Sequence, residues 1–500
     1  MWSHQRGRIL CVARASIIWA MNFARLTYAV ETLLSAPARA IRTARRADIT
    51  GSGKFAVAAG TMAANASRAL GKGSGGMIGG RVAARLSPDL LTQLAQNKTV
   101  VIVTGTNGKS TTTRMIAEIF AAAGNKVASN RGGDNMESGV LAALMAAPDA
   151  THVVLEVDEM WVQKVAAQCH PAAFVFLNLS RDQLDRVGEI ATIEKRLRET
   201  IAEHPRAFAV ANVDDPLVTS AAWDSENPVW IAGGRGWAND SLTAPRTGGV
   251  IVYSQQPENS VAVSAAQNSG VPPQSGSDTT VWWRSTNIKN TAESHDFARP
   301  VPHWSWTAES ESYLPGSAMT VHGPNLNATV TINLPGRANR SNATQAFAAA
   351  VSLGVDPQTA AEGIANVTAV AGRYAQMEIA AHQVRFLLAK NPAGWQEALT
   401  MLTPDASVVV GVNGQIPDGV DLSWLWDVDF SGLRGRTLWA CGERGTDLYV
   451  RLHYADLPAQ FADDPLTALA QIPPGPVDML LNYTSFRDTT AQLRKMGYQL

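Results

Sequence analysis

TVVIVTGTNGKSTTTRMIAEIFAAAG (99–124) decides the fold. Its first part, Val100 to Val103, is an unbroken β-branched run, the pattern of a strand buried on both faces of a parallel sheet. Its last part, from Thr111, carries apolar residues at helical spacing and stops at Gly124. Between them lies GTNGKS (105–110). A glycine-rich turn at a helix start points backbone N–H groups at one place, which makes a cradle for phosphate oxygens. Lys109 is the cation that such a loop offers to β- and γ-phosphates, and Ser110 supplies a hydroxyl for Mg²⁺. The general pattern wants Gly where Val103 stands, but the strand before and the helix after are the setting the motif requires.

Outward from this loop the same alternation continues. HVVLEV (152–157), AAFVFLNL (172–179) and AFAVANV (207–213) read as short buried strands with helical stretches between them. Alternating strand and helix predicts an α/β fold with a parallel, doubly wound sheet. Upstream, AVAAGTMAANASRAL (56–70) is an Ala-rich helix, GKGSGGMIGGR (71–81) reads as a glycine loop, and VAARLSPDLLTQLA (82–95) as two short helices broken at Pro88. Downstream, residues 233–323 are rich in Ser, Thr, Asn, Gly and Pro with scattered tryptophans, and read as an insertion. Strand-like runs resume at MTVHG and ATVTINLPG (328–336), and ANRSNATQAFAAAVSLG (338–354) is a helix. VRFLLA (384–389), ASVVVGV (406–412), RTLWACG (436–442) and VDMLLN (477–482) then outline a second, smaller α/β domain. The expected division is a basic extension over 1–52, a central domain over 53–370 with a helical lead over 53–98, and a C-terminal domain over 371–500.

At 500 residues, with 46% hydrophobic and 17% charged residues, the chain is a multi-domain globular protein. A net charge of −1 gives no global field toward nucleic acid. Three cysteines, Cys11, Cys169 and Cys441, are too few and too scattered for a disulfide scaffold and fit a reducing cytoplasm. Ile9 to Leu34 is interrupted by Arg14, Arg25 and Glu31, so it reads neither as a membrane span nor as a secretory signal. Eight arginines between Arg6 and Arg46 make this end basic, as in a loose extension or a helix lying on an anionic membrane.

TGTNGKST (104–111) resembles the nucleotide loop of the Mur ligases and folylpolyglutamate synthases, which join a carboxylate to an amine through an acyl phosphate. Further stretches resemble the same family in the same order. LEVDE (155–159) is similar to the strand whose Glu helps to hold magnesium, here Glu156. NLSRDQLDRVGE (178–189) is similar to the segment after the next strand. GRANRSNATQAFAAA (336–350) resembles the adenine-side helix, with Asn339 and Asn342 at its matching positions. AGRY (371–374) resembles the linker whose Arg, here Arg373, reaches the phosphates. The resemblance therefore implies ATP bound by Thr104, Gly105, Thr106, Asn107, Gly108, Lys109, Ser110, Thr111, Asn339, Asn342 and Arg373. It implies Mg²⁺ at Ser110 and Glu156, with Lys109 and Glu156 serving catalysis. A P-loop central domain with a parallel sheet, followed by a smaller α/β domain, is the implied fold.

Departures from the family narrow the reading. Most amino-acid-adding Mur ligases have His where this chain has Gln183, and a carbamylated Lys where it has Arg198, with Lys195 nearby. AKNPAGWQEAL (389–399), DGVDLSWLWDVDF (418–430) and ALGKGSGGMIGGRVA (69–83) resemble the MurT branch. That branch amidates the D-glutamate α-carboxylate of membrane-bound lipid II, with ammonia from the glutaminase subunit GatD. There an Asp of the ligase completes the partner's catalytic triad, and the matching position is Asp421, with Asp418 and Asp427 as rivals. Many MurT proteins also carry a four-cysteine zinc ribbon in the insertion. Here SHDFARP (294–300), with His295, resembles its remnant, and no zinc set is seen. Amino-acid addition, folylpolyglutamate-type chemistry and a non-catalytic nucleotide-binding scaffold are the alternatives. No cysteine has the setting of a glutaminase nucleophile, although Cys169 stands next to His170.

Overall fold

The computed structural model describes residues 49–70, 76–130, 134–180, 189–234, 241–254, 282–286, 297–308, 315–368, 374–419 and 421–498. They fall into two compact units, with one boundary inside the strand Thr99–Thr104. Residues up to Val100, Lys126–Val157 and Lys164–His170 form the first. Val101–Asn125, Asp158–Gln163 and the chain from Pro171 onward form the second. The basic segment over 1–48 lies outside the described residues.

The first unit begins with the helix Gly51–Ala69, capped by the Thr50 hydroxyl, which accepts from the Gly53 N–H at 3.2 Å. The second helix, Gly76–Leu86, corrects the sequence reading of 71–81 as loop throughout. Its glycines are there for close approach. A Cβ on Gly60 would lie 2.6 Å from the Gly79 carbonyl oxygen, and one on Gly80 only 1.9 Å from that of Ser138. Helix propensity lost at Gly79 and Gly80 is offset by backbone-to-backbone packing that no larger residue permits. Below this pair, Val127–Ser129 and His152–Glu156 run parallel, with Val127 opposite His152.

In the second unit, Val101–Thr104, Ala173–Phe176, Phe208–Asn212 and Pro228–Ile231 pair in parallel in that order. Their side chains are buried almost throughout, which explains their uninterrupted apolar sequences. The Lys109–Ala122 helix packs on Pro357–Ala365, where Gly363 admits the Ile119 backbone; a Cβ there would lie 2.4 Å from the Ile119 Cα. Described parts of the insertion gather around Ala244, Ile251, Trp283 and Phe297. The Trp283 indole donates to the Val213 carbonyl at 2.8 Å, so this tryptophan ties the insertion to the sheet.

A second sheet follows in the order Tyr374–Ile379, His382–Leu388, Gly475–Leu481, Ser407–Gly411, Leu438–Cys441, Gln460–Phe461. Only its first pair is antiparallel. Among the described residues no helix is long and apolar enough to cross a membrane.

Gly80→Ala should lower stability by about 1–3 kcal/mol, because the helix must move off the Ser138 backbone. Gly51→Ala, whose Cβ meets nothing within 4 Å, should not. Melting temperatures of the two variants check this; equal temperatures would contradict it.

Candidate active site

The glycine loop owes its shape to two positive-φ residues. Gly105 has φ +135° and Gly108 φ +89°. A Cβ on Gly105 would lie 2.9 Å from the Asn178 carbonyl oxygen, and one on Gly108 2.5 Å from the Asn342 Oδ1. Both positions therefore need glycine twice over, for conformation and for space. Gly108 is also the N-cap of the Lys109–Ala122 helix, and no side chain caps that end.

The loop is framed by the segment after the strand Ala173–Phe176. Asn178 accepts from the Asn107 N–H at 2.8 Å and donates its Nδ2 to the Asn107 carbonyl at 2.9 Å. The Thr106 N–H donates to the Asn178 carbonyl, the Thr106 hydroxyl to the Ser180 carbonyl, and the Ser180 N–H back to the Thr106 hydroxyl. Asn178 thus mimics a strand partner for a loop that has none. Residues 181–188, with Gln183, lie outside the described residues.

Lys109 is buried and donates to the Gly105 and Thr106 carbonyls, and its Nζ stands 3.1 Å from Glu159 Oε1. Glu159 is the acid that sequence reasoning passed over; the signal was present as the second Glu of LEVDE. This carboxylate fixes the direction in which the Lys109 side chain points. Glu156 ends the strand His152–Glu156 in the first unit and is buried. Its N–H donates to Asn130 Oδ1 at 2.8 Å, and Asn130 Nδ2 donates to its carbonyl at 2.7 Å.

The residues present fit a polyphosphate. Thr104 and Thr112 each bury a hydroxyl oxygen with no partner among the described residues, beside an uncapped helix start and a glycine cradle. Among the described residues no three His, Cys, Asp or Glu gather as a metal site. Magnesium bound with a nucleotide needs no such cluster, since one or two protein oxygens with phosphate and water complete its shell.

The helix Arg337–Ser352 brings the two predicted asparagines to this loop. Asn342 lies against Gly108 and donates to Asn339 Oδ1 at 3.2 Å; Asn339 donates to the Pro335 carbonyl at 2.6 Å. Arg340 in the same helix is buried on the Leu334 and Gly336 carbonyls and so is structural. Arg373 lies outside the described residues. A second unpredicted contact comes from the segment 389–399. Asn391 caps the helix Pro392–Thr400 through the Gly394 N–H and accepts from Asn107 Nδ2 at 3.2 Å. Glu397, two turns on, accepts from the Ala338 N–H at 2.7 Å. Burial raises the Glu397 pKa, while the Ala338 N–H, Arg337 and Arg340 pull it down.

Residues 103–266 match the Mur ligase middle domain and residues 388–486 the MurT ligase C-terminal domain. The chain is 28% identical over 411 residues to the lipid II isoglutaminyl synthase (glutamine-hydrolyzing) subunit MurT of Streptococcus pneumoniae (strain ATCC BAA-255 / R6), covering 78% of this chain and 84% of that one. It is likewise 28% identical to MurT of Staphylococcus aureus (strain COL), over 79% and 86%. This chain is a MurT-type member of the Mur ligase family. In fold it resembles MurF from Acinetobacter baumannii, with a TM-score of 0.59 at 16% identity over 84% of this chain and 81% of that one. A pseudomurein peptide ligase type C from Methanothermus fervidus is similar at 0.58, with 17% identity over 80% and 79%.

Arg198, which the family resemblance sets against the modified Lys of amino-acid-adding enzymes, lies 3.3 Å from the buried Glu194, which also accepts from the Ser220 hydroxyl. Lys195 is exposed and lies 3.8 Å from Glu199. The two MurT-type segments of the C-terminal half pack on each other: Trp395 stacks on Trp424 at 5.7 Å and meets Phe430 edge-on. Asp421 stands on the resulting surface, exposed, its Oδ1 accepting from the Ser423 N–H at 2.8 Å, which holds its carboxyl below the usual carboxylate range. Asp427 is exposed as well, whereas Asp418 is buried and accepts from the Thr484 N–H and hydroxyl. Burial pushes the Cys169 thiol up to about 12, leaving it protonated at neutral pH, and His170 follows it at φ +46° on the exposed side. His295 and Cys11 lie outside the described residues.

Asn178→Ala removes both side-chain bonds to Asn107 and should raise the KM for ATP roughly 5- to 30-fold, as expected for two hydrogen bonds of about 1 kcal/mol each. Asn178→Asp, which keeps the acceptor, should fall between. An unchanged KM in Asn178→Ala would show that the loop holds its shape without it.

Proposed function

We propose that this chain amidates the α-carboxylate of D-glutamate in the lipid II stem peptide, using ATP and ammonia from a GatD-like glutaminase subunit. The observation that carries the reading is the bond from loop residue Asn107 to Asn391, which joins a Mur-type phosphate loop to the segment matching MurT proteins. In this reading the substrate carboxylate attacks the γ-phosphorus of ATP, giving an acyl phosphate and ADP. Ammonia then adds to the acyl carbon, phosphate leaves, and the amide forms with loss of a proton. Lys109 and the loop N–H groups neutralise the transferring phosphoryl oxygens, and Glu159 keeps Lys109 in place. The family resemblance assigns Mg²⁺ to Ser110 and Glu156, where it would neutralise phosphate charge, and brings Arg373 to the same nucleotide. In this reading the chain acts in the cytoplasm, at the inner face of the membrane that holds its lipid-linked substrate.

Asp421 is the residue proposed to serve the partner. An ionised carboxylate on an exposed turn suits the third member of a Cys–His–Asp set, orienting the His and stabilising its charged form. Asp418 is spent on Thr484.

The test is amidation of lipid II by the chain with its glutaminase, with glutamine or ammonium as donor. Lys109→Ala should abolish product with both donors. Asp421→Asn should abolish glutamine-dependent product while ammonium-dependent product stays within about twofold. Transfer of an amino acid in place of ammonia, or no ATP-dependent phosphate release at all, would reject the proposed activity. Survival of the glutamine reaction in Asp421→Asn would reject only the shared triad.

A further inference from the structure

Asp421 is exposed, and its carboxyl accepts from Ser423, two residues on in the same turn. A bond of this kind fixes the carboxyl relative to its own turn and leaves the turn itself to be placed by other contacts. A carboxylate that orients a catalytic His has to be held to within roughly 0.5 Å by neighbours that are themselves fixed. After Asp421 the chain is fixed by Leu422 and Trp424, which are buried in one core cluster with Trp395. Before it stands Gly419 at φ +84°, a residue type with wide backbone freedom. Holding that side falls to the residues ahead of the glycine.

Asp418 supplies the anchor. The helix Tyr483–Lys495 follows Asn482, whose side chain does not cap it. Asn482 is turned to Asn413 instead, accepting from its N–H at 3.0 Å and donating to its carbonyl at 2.7 Å. The helix start therefore takes its acceptor from elsewhere. Asp418 Oδ1 accepts from the Thr484 N–H at 2.9 Å, and Oδ2 accepts from the Thr484 hydroxyl and from the Gln415 N–H at 3.3 Å. A carboxylate is the group a helix start favours, and both Asp418 and Thr484 are buried, so water competes little for these bonds. The Gln415 side chain also reaches Glu443 and Arg487, at 2.7 and 2.8 Å, but those contacts are exposed and hold the turn weakly.

We infer that Asp418 is a positioning residue for glutamine hydrolysis. By capping the helix Tyr483–Lys495 from a distant part of the chain, it holds the turn that carries Asp421 where the partner's His meets it. The inference rests on the reading of Asp421 as the third member of the partner's Cys–His–Asp set. A cap that served only the stability of this domain would be felt in every activity of the chain. A cap that acts through Asp421 is felt where Asp421 is used, in the release of ammonia from glutamine, and not in amidation from free ammonium.

The experiment is amidation of lipid II by the chain with its glutaminase subunit, with glutamine or ammonium as donor. Asp418→Ala should lower the glutamine-dependent kcat about tenfold, the scale of a misplaced catalytic group, with the KM for glutamine and the ammonium-dependent rate each within about twofold. Thr484→Val, which keeps the buried shape and loses one of the bonds to Asp418, should give the same split at about threefold, and Thr484→Ser should restore the rate. The Thr484 pair decides on the same terms if Asp418→Ala does not fold. Equal losses with both donors would make the cap purely structural and overturn the inference. A wild-type glutamine rate in Asp418→Ala and Thr484→Val would overturn it too, provided Asp421→Asn has lost that rate. Survival of the glutamine reaction in Asp421→Asn would instead reject the shared triad, and the inference with it.

Discussion

Asn107 is held from two sides. Its backbone is bracketed by the Asn178 side chain, and its own side chain donates to Asn391. A glycine-rich loop carries few interactions of its own, and the entropy of ordering it must be offset by neighbours. Here those neighbours are two amides, Asn178 and Asn391, from segments far apart in the chain. The cradle at Gly105 and Gly108, the helix start at Lys109 and the Lys109–Glu159 pair all hang from that framing. With the Thr106 and Asn107 N–H groups spent on Asn178, the backbone donors that meet phosphate are those at the helix start from Gly108.

The same contact changes the meaning of the C-terminal half. Asn391 caps the helix that carries both Glu397 and the buried Trp395. Trp395 stacks on Trp424, three residues beyond Asp421. One helix therefore meets the loop at its cap, the Arg337–Ser352 helix through Glu397 and the segment of the Asp421 turn through Trp395. Packed side chains of this kind transmit displacement, so strain at either end is felt at the other.

Much of this was legible in the sequence because the signals are local. Four β-branched residues before GTNGKS allow only a buried strand, and the glycines of the loop allow only a tight turn. Periodicity outlines the helix that carries Asn339 and Asn342, but those two residues came from the family resemblance of GRANRSNATQAFAAA (336–350). What was not legible depended on pairing across distance. Glu159 reads as one more acid until Lys109 is seen beside it. Asn391 reads as a helix cap, which it is, and nothing local says that Asn107 also uses it. Gly79 and Gly80 failed in the other direction. Glycine clusters usually break helices, and only the Ser138 backbone pressed against them shows why a helix needs them there. Only the resemblance favoured Asp421 over Asp418 in the sequence; burial now separates those two, while Asp427 is as exposed as Asp421.

The central claim is that the phosphate loop and the MurT-type C-terminal segment form one nucleotide site through Asn107 and Asn391. A double-mutant cycle on ATP binding tests it most directly, with calorimetric Kd values for Asn107→Ala, Asn391→Ala and the double variant. A coupling energy of roughly 0.5–1.5 kcal/mol, the size of one buried hydrogen bond, is the expected result. Losses that add without coupling would contradict it and leave the C-terminal segment outside the nucleotide site.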